Sequence, residues 1–277
     1  LAQTNDLLAS GATCIAYEMV RGSNGNLPLL NPMSEIAGRM SIQAGAHCLE
    51  KAQHGRGVLL SGVPGVSAAH VLILGGGVVG SNAAKVAIGM GARVTVLDKS
   101  LETLKILDQY FGNKVQTIFS TKQAIKGLLP LVDLVIGAVL IPGAAAPKLI
   151  DRSDLSSMRK GAALVDVAID QGGCFETSRA TTHQNPTFIV DDIVHYCVAN
   201  MPGGLARTAT ESLNNATLPY VLSLANKGIK PALIGDKGFN KGLSIVNNKL
   251  SCPEVGTAQQ ISSITPEEGL SYLKENL

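Results

Sequence analysis

Between residues 58 and 200, short apolar runs alternate with stretches in which apolar residues have helical spacing. Short, nearly continuous apolar runs predict buried strands, and stretches between several of them have helical spacing. The predicted strands are residues 71–74, 93–97, 115–119, 132–138, 163–169 and 194–199. The predicted helices are residues 78–90, 101–111 and 121–129. This alternation is typical of an α/β fold with a doubly wound parallel sheet.

Two of these helices are preceded by a residue that can cap them. Ser100 precedes the helix at 101–111, and Ser120 precedes the helix at 121–129. A serine hydroxyl can accept a hydrogen bond from the free N–H groups of a first helical turn. Glu102 adds a negative charge where the helix dipole is positive. Ser100 is therefore predicted as an N-cap.

Two longer helices are predicted on either side of this block. Residues 34–52 open on Ser34 and have apolar residues at helical spacing. Residues 208–225 have a helical pattern that we expect to break near Pro219, because proline removes a backbone donor and crowds the preceding turn.

The composition excludes nucleic-acid binding as a main function. The chain has 277 residues, enough for one large domain or two ordinary ones. Lys and Arg total 23 and Asp and Glu total 21, so the net charge is only +2. No run of five basic residues occurs, and aromatic residues make up 4%. The sequence thus lacks the clustered basic residues and the aromatic residues that are typical of a nucleic-acid-binding protein.

The five cysteines and five histidines do not predict a metal site. The cysteines are scattered and never form Cys-x-x-Cys, and the histidines show no metal-ligand spacing. Each histidine is predicted to be structural or solvated. An odd number of scattered thiols favours a reducing compartment, so we expect a cytoplasmic protein.

The most apolar segment, residues 130–147, does not predict a membrane span. Asp133, Gly137 and Pro142 interrupt it. Its uninterrupted part, residues 134–141, is far shorter than the roughly 20 residues that a helix needs to cross a bilayer. The segment is typical instead of a strand that is buried on both faces of a parallel sheet.

The most informative motif lies in "VLILGGGVVGSNAAKVAIGMGARVTVLD", residues 71–98. Gly75, Gly77 and Gly80 fit the pattern Gly-x-Gly-x-x-Gly, with a strand before them and an Ala-rich helix after. Asp98 ends the next strand, about 20 residues after Gly77. This context is the one that distinguishes a dinucleotide-binding turn from other glycine-rich loops.

Each position of this motif has a physical role in binding a dinucleotide. Gly75 permits the tight turn, Gly77 lets the backbone approach the pyrophosphate, and Gly80 lets the helix pack closely on the strand. The phosphates meet free N–H groups at the helix N-terminus. Asp98 would accept the ribose hydroxyls and repel a 2′-phosphate, which favours NAD over NADP. The alternative is a purely structural turn in an α/β fold.

Two aspartates stand in "VDVAIDQGGC", residues 165–174, where a nearly apolar strand is predicted to end. Ligands of an open parallel sheet bind beyond the carboxyl ends of its strands, which favours Asp170 as a functional residue. Asp166 would lie roughly 13 Å further back at about 3.3 Å per residue. We expect it to be a buried carboxylate bonded to backbone amides or an arginine. Asp170 could instead cap a turn, since Gly172 and Gly173 follow it.

Two further strand ends have glycine or proline just beyond apolar residues. They are "GAVLIPG", residues 137–143, and "VANMPG", residues 198–203. Val139 and Met201 in these segments could pack on a nicotinamide ring, although each would more often be a core residue. The predicted ligand site therefore extends over several strand ends.

Several longer stretches resemble those of a known family. They include "LPLLNPMSEIAGRM", "GRGVLLSGVPGV", "DLVIGAVLIPGAAAPKLI", "VDVAIDQGGCFETSR" and "PTFIVDDIVHYCVANMPG". With the Gly75 turn, they resemble the alanine dehydrogenases, whose superfamily includes the transhydrogenase alpha subunit. The resemblance covers nearly the whole chain. It implies an NAD-dependent, reversible oxidation of L-alanine to pyruvate and ammonium.

The resemblance also implies roles for individual residues. Asp170 would be catalytic and would help to activate water for attack on an imine. Asp98 would bind the ribose of NAD. The other residues implied in cofactor binding lie at the glycine turn, at helix starts or near strand ends: Ser34, Gly75, Gly77, Val78, Val79, Gly80, Ser120, Val139, Leu140, Val167, Ala168, Ile169, Arg179, Val198, Ala199, Asn200 and Met201.

The resemblance further implies a division into two lobes. Residues 31–206 would form a Rossmann NAD-binding domain, and residues 1–30 and 207–277 would belong to a substrate lobe. Family members have further upstream residues, with an arginine and a lysine that bind substrate and a histidine that acts on it. We therefore expect an N-terminally truncated dehydrogenase that exposes apolar surface on its second lobe and has little activity alone. The family assembly implied is a homohexamer.

Two other functions stay open at this stage. One is the NAD-binding alpha subunit of a proton-translocating transhydrogenase, which the stretch "VDVAIDQGGC" and the lack of a predicted span disfavour. The other is a non-catalytic NAD-binding remnant. An activity assay distinguishes this remnant from a dehydrogenase.

Overall fold

The computed structural model describes residues 1–139 and 146–273. The chain forms two compact units, one of Ser34–Ala206 and one of Leu1–Met33 with the chain from Arg207 onward. The α-helices of the described residues are α1 (Ala2–Ser10), α2 (Asn31–Cys48), α3 (Val78–Gly89), α4 (Leu101–Phe111), α5 (Lys122–Leu128), α6 (Ala206–Lys227), α7 (Ile229–Gly235), α8 (Lys237–Asn240), α9 (Pro253–Gln259) and α10 (Pro266–Gly269). The strands are β1 (Cys14–Ile15), β2 (His70–Leu74), β3 (Arg93–Asp98), β4 (Val115–Phe119), β5 (Leu134–Gly137), β6 (Ala163–Asp166), β7 (Thr187–Val190), β8 (Ile193–Tyr196), β9 (Leu243–Val246) and β10 (Lys249–Leu250).

The larger unit contains a sheet whose strands, within the described residues, follow the order β4-β3-β2-β5-β6-β8-β7. Neighbouring strands are parallel, apart from β7, which is antiparallel to β8. The chain enters at β2, builds outward to β4, and then returns to place β5 on the other side of β2. This confirms the predicted doubly wound α/β fold. Ligands of such sheets bind where the strand order reverses, which here is between β2 and β5.

Both faces of this sheet are covered by apolar side chains. Val71 and Ile73 of β2 belong to one buried cluster, whereas Leu72 and Leu74 belong to another. Alternate side chains of a strand point to opposite faces. A continuous apolar run is therefore what a central parallel strand with two covered faces requires.

The predicted cap of the helix at 101–111 is confirmed, and the next helix has a cap that was not predicted. The Ser100 Oγ accepts a hydrogen bond from the Thr103 N–H at 3.1 Å, so it caps α4. Helix α5 begins one residue later than predicted, because Ser120 still follows β4 directly. The cap is therefore Thr121, whose Oγ1 accepts from the Ala124 N–H at 3.0 Å.

Two long helices differ from their predicted bounds. Helix α2 begins before Ser34 and ends at Cys48, so Ser34 lies at the end of its first turn and does not open the helix. Helix α6 continues through Pro219, where we predicted a break. A proline removes a single N–H donor from the helix, and a long helix can absorb the resulting distortion as a bend.

Strand β7 is absent from the predicted elements. It pairs with β8 through a two-residue turn at Asp191 and Asp192. Both residues have positive φ, at 49° and 65°, which a type I′ hairpin turn requires. Asp-Asp is a weaker signal for this turn than Asn-Gly or Asp-Gly, so the pattern did not predict the hairpin.

The smaller unit has an antiparallel sheet with the order β1-β9-β10. Leu233 and Phe239 belong to its buried core. Helix α6 has no buried residue, and its Leu218, Val221 and Leu222 are 45% to 54% exposed. In the parts of the chain that the structure describes, no helix has both the length and the apolar content of a membrane-crossing segment.

Candidate active site

The turn from β2 into α3 needs glycine at two positions because of the chain's own geometry. Gly75 has a φ of +100°, and a Cβ at this position would lie 2.7 Å from the Ala138 carbonyl oxygen. A Cβ on Gly80, in the first turn of α3, would lie 1.8 Å from the Gly75 carbonyl oxygen. The tight turn and the close packing of α3 on β2 therefore depend on these two glycines.

Gly77 differs, because neither its conformation nor its described neighbours require a glycine. It is the N-cap residue of α3, with a φ of −66° that other residues adopt easily. A Cβ there would meet no described atom within 4 Å. The helix starts at Val78 and Val79, whose N–H groups have no helical partner. A helix N-terminus with open space beside its backbone suits a phosphate group.

Asp98 stands beside this turn and helps to hold it. Its Oδ2 accepts the Gly76 N–H at 2.7 Å, and its Oδ1 accepts the Ser100 N–H at 2.8 Å. The carbonyl oxygen of Asp98 accepts the Ser120 N–H at 2.9 Å. A carboxylate has roughly four acceptor sites, so Asp98 retains capacity for ribose hydroxyls.

The loops that follow β2, β5 and β6 touch one another at the carboxyl edge of the sheet. A Cβ on Gly75 would lie 3.1 Å from the Val139 Cγ2, and one on Gly137 would lie 3.3 Å from the Asp166 Oδ1. One strand separates β2 from β6, so their ends are roughly 10 Å apart at about 4.8 Å per strand. The glycine turn and the segment after β6 therefore share one edge.

Strand β6 ends at Asp166, three residues earlier than predicted. The Val167 N–H still donates to the Gly137 carbonyl at 2.9 Å, after which Ile169–Gln171 forms a 3₁₀ turn. The predicted position of Asp166 behind the ligand edge is therefore wrong, since it stands at that edge. The apolar alternation continues to Ile169 although the hydrogen-bond ladder has stopped, so the pattern could not reveal the strand end.

The Asp166 side chain is fully buried and accepts hydrogen bonds from the loop that follows. Its Oδ1 accepts the Ala168 N–H at 3.1 Å, and its Oδ2 accepts the Cys174 N–H at 2.8 Å and the Ser178 hydroxyl at 2.5 Å. Burial raises the pKa of Asp166, while the hydrogen bonds from Ser178 and the backbone lower it. Backbone amides and one serine hydroxyl are thus the partners of this carboxylate, as expected for a structural role.

Asp170 lies in the middle of the 3₁₀ turn and is exposed. Gly172 and Gly173 follow with φ of +88° and +79°, so the chain reverses directly after it. Among the described residues, the Asp170 carboxylate has no hydrogen-bond or ion-pair partner, so it does not cap the turn there. The neighbouring Gln171 Oε1 is buried and also finds no partner within residues 1–139 and 146–273. Both side chains can therefore accept from a ligand.

Lys148, which was not predicted as a site residue, binds the same loop. Its Nζ donates to the carbonyl oxygens of Gly172 at 2.5 Å, Gly173 at 2.9 Å and Phe175 at 3.1 Å. These partners lie 24 to 27 residues further along the chain. A lone lysine after an Ala-Pro stretch carries no local signal for such distant contacts.

The residues predicted to line a nicotinamide follow three neighbouring strands. Val139 follows β5, residues 167–169 follow β6, and residues 198–201 follow β8. Parallel strands bring these segments to the same edge of the sheet. Met201 is only 3% exposed and belongs to the buried core, and its contact with a cofactor stays a prediction. Leu140 lies outside the described residues.

The structure brings Ser34 towards the glycine turn and gives Arg179 a different contact. Gly38 is one turn beyond Ser34 in α2, and a Cβ there would lie 2.2 Å from the Val79 carbonyl oxygen. The start of α2 is therefore close to the start of α3. The Arg179 guanidinium instead lies 4.3 Å from the ring centre of Phe188 on β7. A cofactor role for Arg179 stays a prediction.

His195 has a structural role, which is one of the two roles, structural or solvated, predicted for the histidines. It is fully buried, with Nδ1 at 3.0 Å from the Ile193 carbonyl and Nε2 at 2.7 Å from the Thr177 hydroxyl. A carbonyl can only accept, so Nδ1 carries the hydrogen and Nε2 accepts from Thr177. Burial lowers the pKa of His195.

The cysteines are free thiols. Burial raises the pKa of Cys48, Cys174 and Cys197 to about 12 each. In the described parts of the chain, no three potential metal-ligating side chains of His, Cys, Asp or Glu lie together.

The fold and this sheet edge together define a class of protein. A strand, a glycine turn and a helix at the centre of a parallel sheet, with an acidic residue at the end of the next strand, form the dinucleotide-binding arrangement. The larger unit is a Rossmann-type dinucleotide-binding domain.

Comparison with known proteins identifies the family. The family model "Alanine dehydrogenase/PNT, C-terminal domain" matches residues 41–253. The chain is 59% identical to an alanine dehydrogenase of Halomonas elongata, over 92% of this chain and 69% of that protein. It is 55% identical to an alanine dehydrogenase of Mycolicibacterium smegmatis, over 89% of this chain and 67% of that protein. The chain belongs to the alanine dehydrogenase/PNT family.

Solved structures agree with this assignment. A structure described as L-alanine dehydrogenase matches with a TM-score of 0.90 and 50% identity, over 94% of this chain and 72% of that chain. A transhydrogenase from Sinorhizobium meliloti matches with a TM-score of 0.76 and 20% identity, over 90% of this chain and 71% of that chain. The second likeness concerns the fold alone.

Proposed function

We propose that this chain provides the NAD site and the catalytic carboxylate of an L-alanine dehydrogenase. The reaction is L-alanine + NAD⁺ + H₂O → pyruvate + NH₄⁺ + NADH + H⁺. One observation carries most of the proposal: a single sheet edge has both the dinucleotide turn and an exposed carboxylate without a partner among the described residues. The alanine dehydrogenase relatives supply the substrate class.

The residues around the glycine turn fit NAD. NAD supplies the hydride acceptor for the reaction. The open space beside Gly77 admits a pyrophosphate, whose negative charge the free N–H groups of α3 offset. Asp98 accepts the adenosine ribose hydroxyls, with Ser120 beside it. Ser34, in the first turn of α2, is a further proposed cofactor contact.

The remaining cofactor contacts come from the other strand ends. Apolar side chains there exclude water from the ring that reacts, which strengthens electrostatic interactions in the site. The residues proposed on this side are Val139, Val167, Ala168, Ile169, Val198, Ala199, Asn200 and Met201, with Arg179 as a further cofactor contact.

Asp170 acts on the substrate as a general base. Loss of hydride from the alanine Cα leaves an imine, which must be hydrolysed. Asp170 accepts a proton from water while the water oxygen bonds to the imine carbon. Asp170 then returns this proton to the amino nitrogen, and the carbinol hydroxyl gives up its own proton as its oxygen forms the keto group. The nitrogen leaves with both protons as ammonium, and pyruvate remains. Such proton transfer typically contributes about 10²–10⁴ in rate.

The proposal extends to the organisation of the protein. Residues 31–206 serve as the NAD domain, and residues 1–30 and 207–277 contribute to the substrate lobe. The resemblance to the family supports a homohexamer. Cysteines that are free thiols are compatible with a cytoplasmic site of action.

A paired assay tests the proposal. NADH binding is measured by fluorescence, and alanine-dependent NADH formation by absorbance. Both are measured for residues 1–277 and for the same chain fused to the part of the Halomonas elongata relative that has no counterpart here. We expect NADH binding in both proteins and strong turnover in the fusion. Binding without turnover in the fusion would favour the non-catalytic NAD-binding alternative, and no binding would contradict the proposal.

Replacing Asp98 should weaken and broaden cofactor binding. Asp98→Ala is expected to weaken NADH binding by about 1–3 kcal/mol, because a hydrogen-bonded carboxylate is lost. Asp98→Asn keeps an acceptor oxygen but removes the charge that repels a 2′-phosphate, so the preference for NADH over NADPH should fall. Fluorescence titration with both cofactors measures these effects. Equal affinity of the unmodified protein for NADH and NADPH would contradict the role of Asp98.

A further inference from the structure

The loop that carries Asp170 is held by a lysine ammonium on one side. Three carbonyl oxygens, of Gly172, Gly173 and Phe175, converge on the Lys148 Nζ within 3.1 Å. The backbone on both sides of Lys148 also pairs with the loop. The Ala146 N–H donates to the Gln171 carbonyl at 2.9 Å, and the Leu149 N–H donates to the Cys174 carbonyl at 2.7 Å.

The same loop is held on its other side by a carboxylate. Asp166 accepts the N–H groups of Ala168 and Cys174 at 3.1 and 2.8 Å. Lys148 therefore binds acceptors of the loop, and Asp166 binds donors. Asp170 lies between these two sets of contacts, in the 3₁₀ turn.

The geometry suits an ammonium group in particular. Gly172 and Gly173 both have left-handed φ, and this reversal directs successive carbonyls towards one point. Lysine is a compact cation with three donors, which matches three converging oxygens. Without the Lys148 ammonium, the three carbonyl oxygens would have to accept hydrogen bonds from water. The chain reversal after Asp170 would then lose its fixed geometry. Arginine, with its planar fork, does not match this arrangement.

We propose that Lys148 is a positioning residue for Asp170. It acts by fixing the carbonyls of Gly172, Gly173 and Phe175. The proposal rests on the proposed function, because Asp170 is the group that Lys148 would position. The contact itself is independent of that function. Loss of the ammonium should loosen the turn, lower kcat and leave the fold of the sheet intact.

The test compares Lys148→Met with the matched control Lys105→Met. Lys105 is exposed on α4 and has no ion pair or hydrogen bond within the described part of the chain. Amide hydrogen exchange is followed in peptides that cover residues 168–175 and in peptides from β2 and β5. We expect exchange in residues 168–175 to rise about tenfold in Lys148→Met. Exchange in the strands should stay unchanged, as should all exchange in Lys105→Met.

Kinetics and chemical rescue complete the test. In the fusion protein, Lys148→Ala should lower kcat about tenfold or more with little change in the KM for alanine. Added methylammonium should restore part of kcat and of the exchange protection, whereas tetramethylammonium, which has no N–H donor, should not. Lys148→Arg should retain little of the kcat and of the exchange protection.

Two results would overturn the proposal. One is unchanged exchange at residues 168–175 in Lys148→Met. The other is a uniform rise over loop and strands together with loss of thermal stability, which would make Lys148 a general stabilising residue. If the fusion protein binds NADH without turnover, the proposed function fails, and the exchange data still decide whether Lys148 holds the turn.

Discussion

Replacing Asp170 by Asn is expected to lower kcat for alanine oxidation by about 10²–10⁴, with NADH affinity near that of the unmodified protein. An amide has nearly the same shape as a carboxylate, but it cannot accept a proton at neutral pH. The side chain is exposed and has no hydrogen-bond partner among the described residues, so its replacement should not disturb the turn. Steady-state kinetics of the fusion protein and NADH titration measure the two effects.

Asp166→Asn is the matched control, because it makes the same chemical change four residues earlier. Its amide group would have to face donors such as the Cys174 N–H and the Ser178 hydroxyl. We expect a loss of about 1–3 kcal/mol in the free energy of unfolding, since a buried donor is left unsatisfied. Thermal melts and urea unfolding report this loss. Near-normal turnover by Asp170→Asn would show that Asp170 is not the base.

Gly77→Ser should separate cofactor binding from folding. Serine is a favourable N-cap residue and fits the φ of −66°, so the fold should be unchanged or slightly more stable. Its side chain would nevertheless occupy the space that a pyrophosphate needs. We expect NADH affinity to fall roughly 100-fold, which is about 2.8 kcal/mol. Fluorescence titration and urea unfolding of the same preparation measure both quantities.

Two other glycines serve as controls for this prediction. Gly127→Ser on α5 has no described neighbour within 4 Å of its Cβ and lies away from the turn, so NADH affinity should not change. Gly80→Ala would instead force a Cβ against the Gly75 carbonyl and should lower stability by about 1–3 kcal/mol. Unchanged NADH binding by Gly77→Ser would contradict the assignment of the phosphate site.

The central elements of the fold were predictable because their signals are local. Strand β2 is a continuous apolar run, and α4 has a serine cap and occupies its predicted residues 101–111. The glycine turn was predictable for a similar reason, since two of its three motif positions are fixed by steric contact. Strand β7 was missed because its hairpin depends on two aspartates with positive φ, a conformation that the sequence pattern does not mark.

The misplaced end of β6 shows what an apolar pattern leaves out. Val167 and Ile169 continue the alternation, but the strand ends at Asp166, whose side chain accepts the loop amides of Ala168 and Cys174. Lys148 was missed because its partners are three backbone carbonyls more than twenty residues away. Contacts between side chains and distant backbone groups depend on the folded chain, and periodicity does not encode them.

The burial of Cys174 allows the opening of this loop to be measured by thiol modification. Its pKa is raised to about 12, so almost none of the thiol is ionised at neutral pH, and the thiolate is the form that alkylating reagents attack. The thiol also lies against the Val139 carbonyl, with Sγ at 3.9 Å. A reagent such as iodoacetamide should therefore modify Cys174 only while the loop is transiently open. The alkylation rate of Cys174 therefore measures how often the segment that carries Asp170 leaves its folded position.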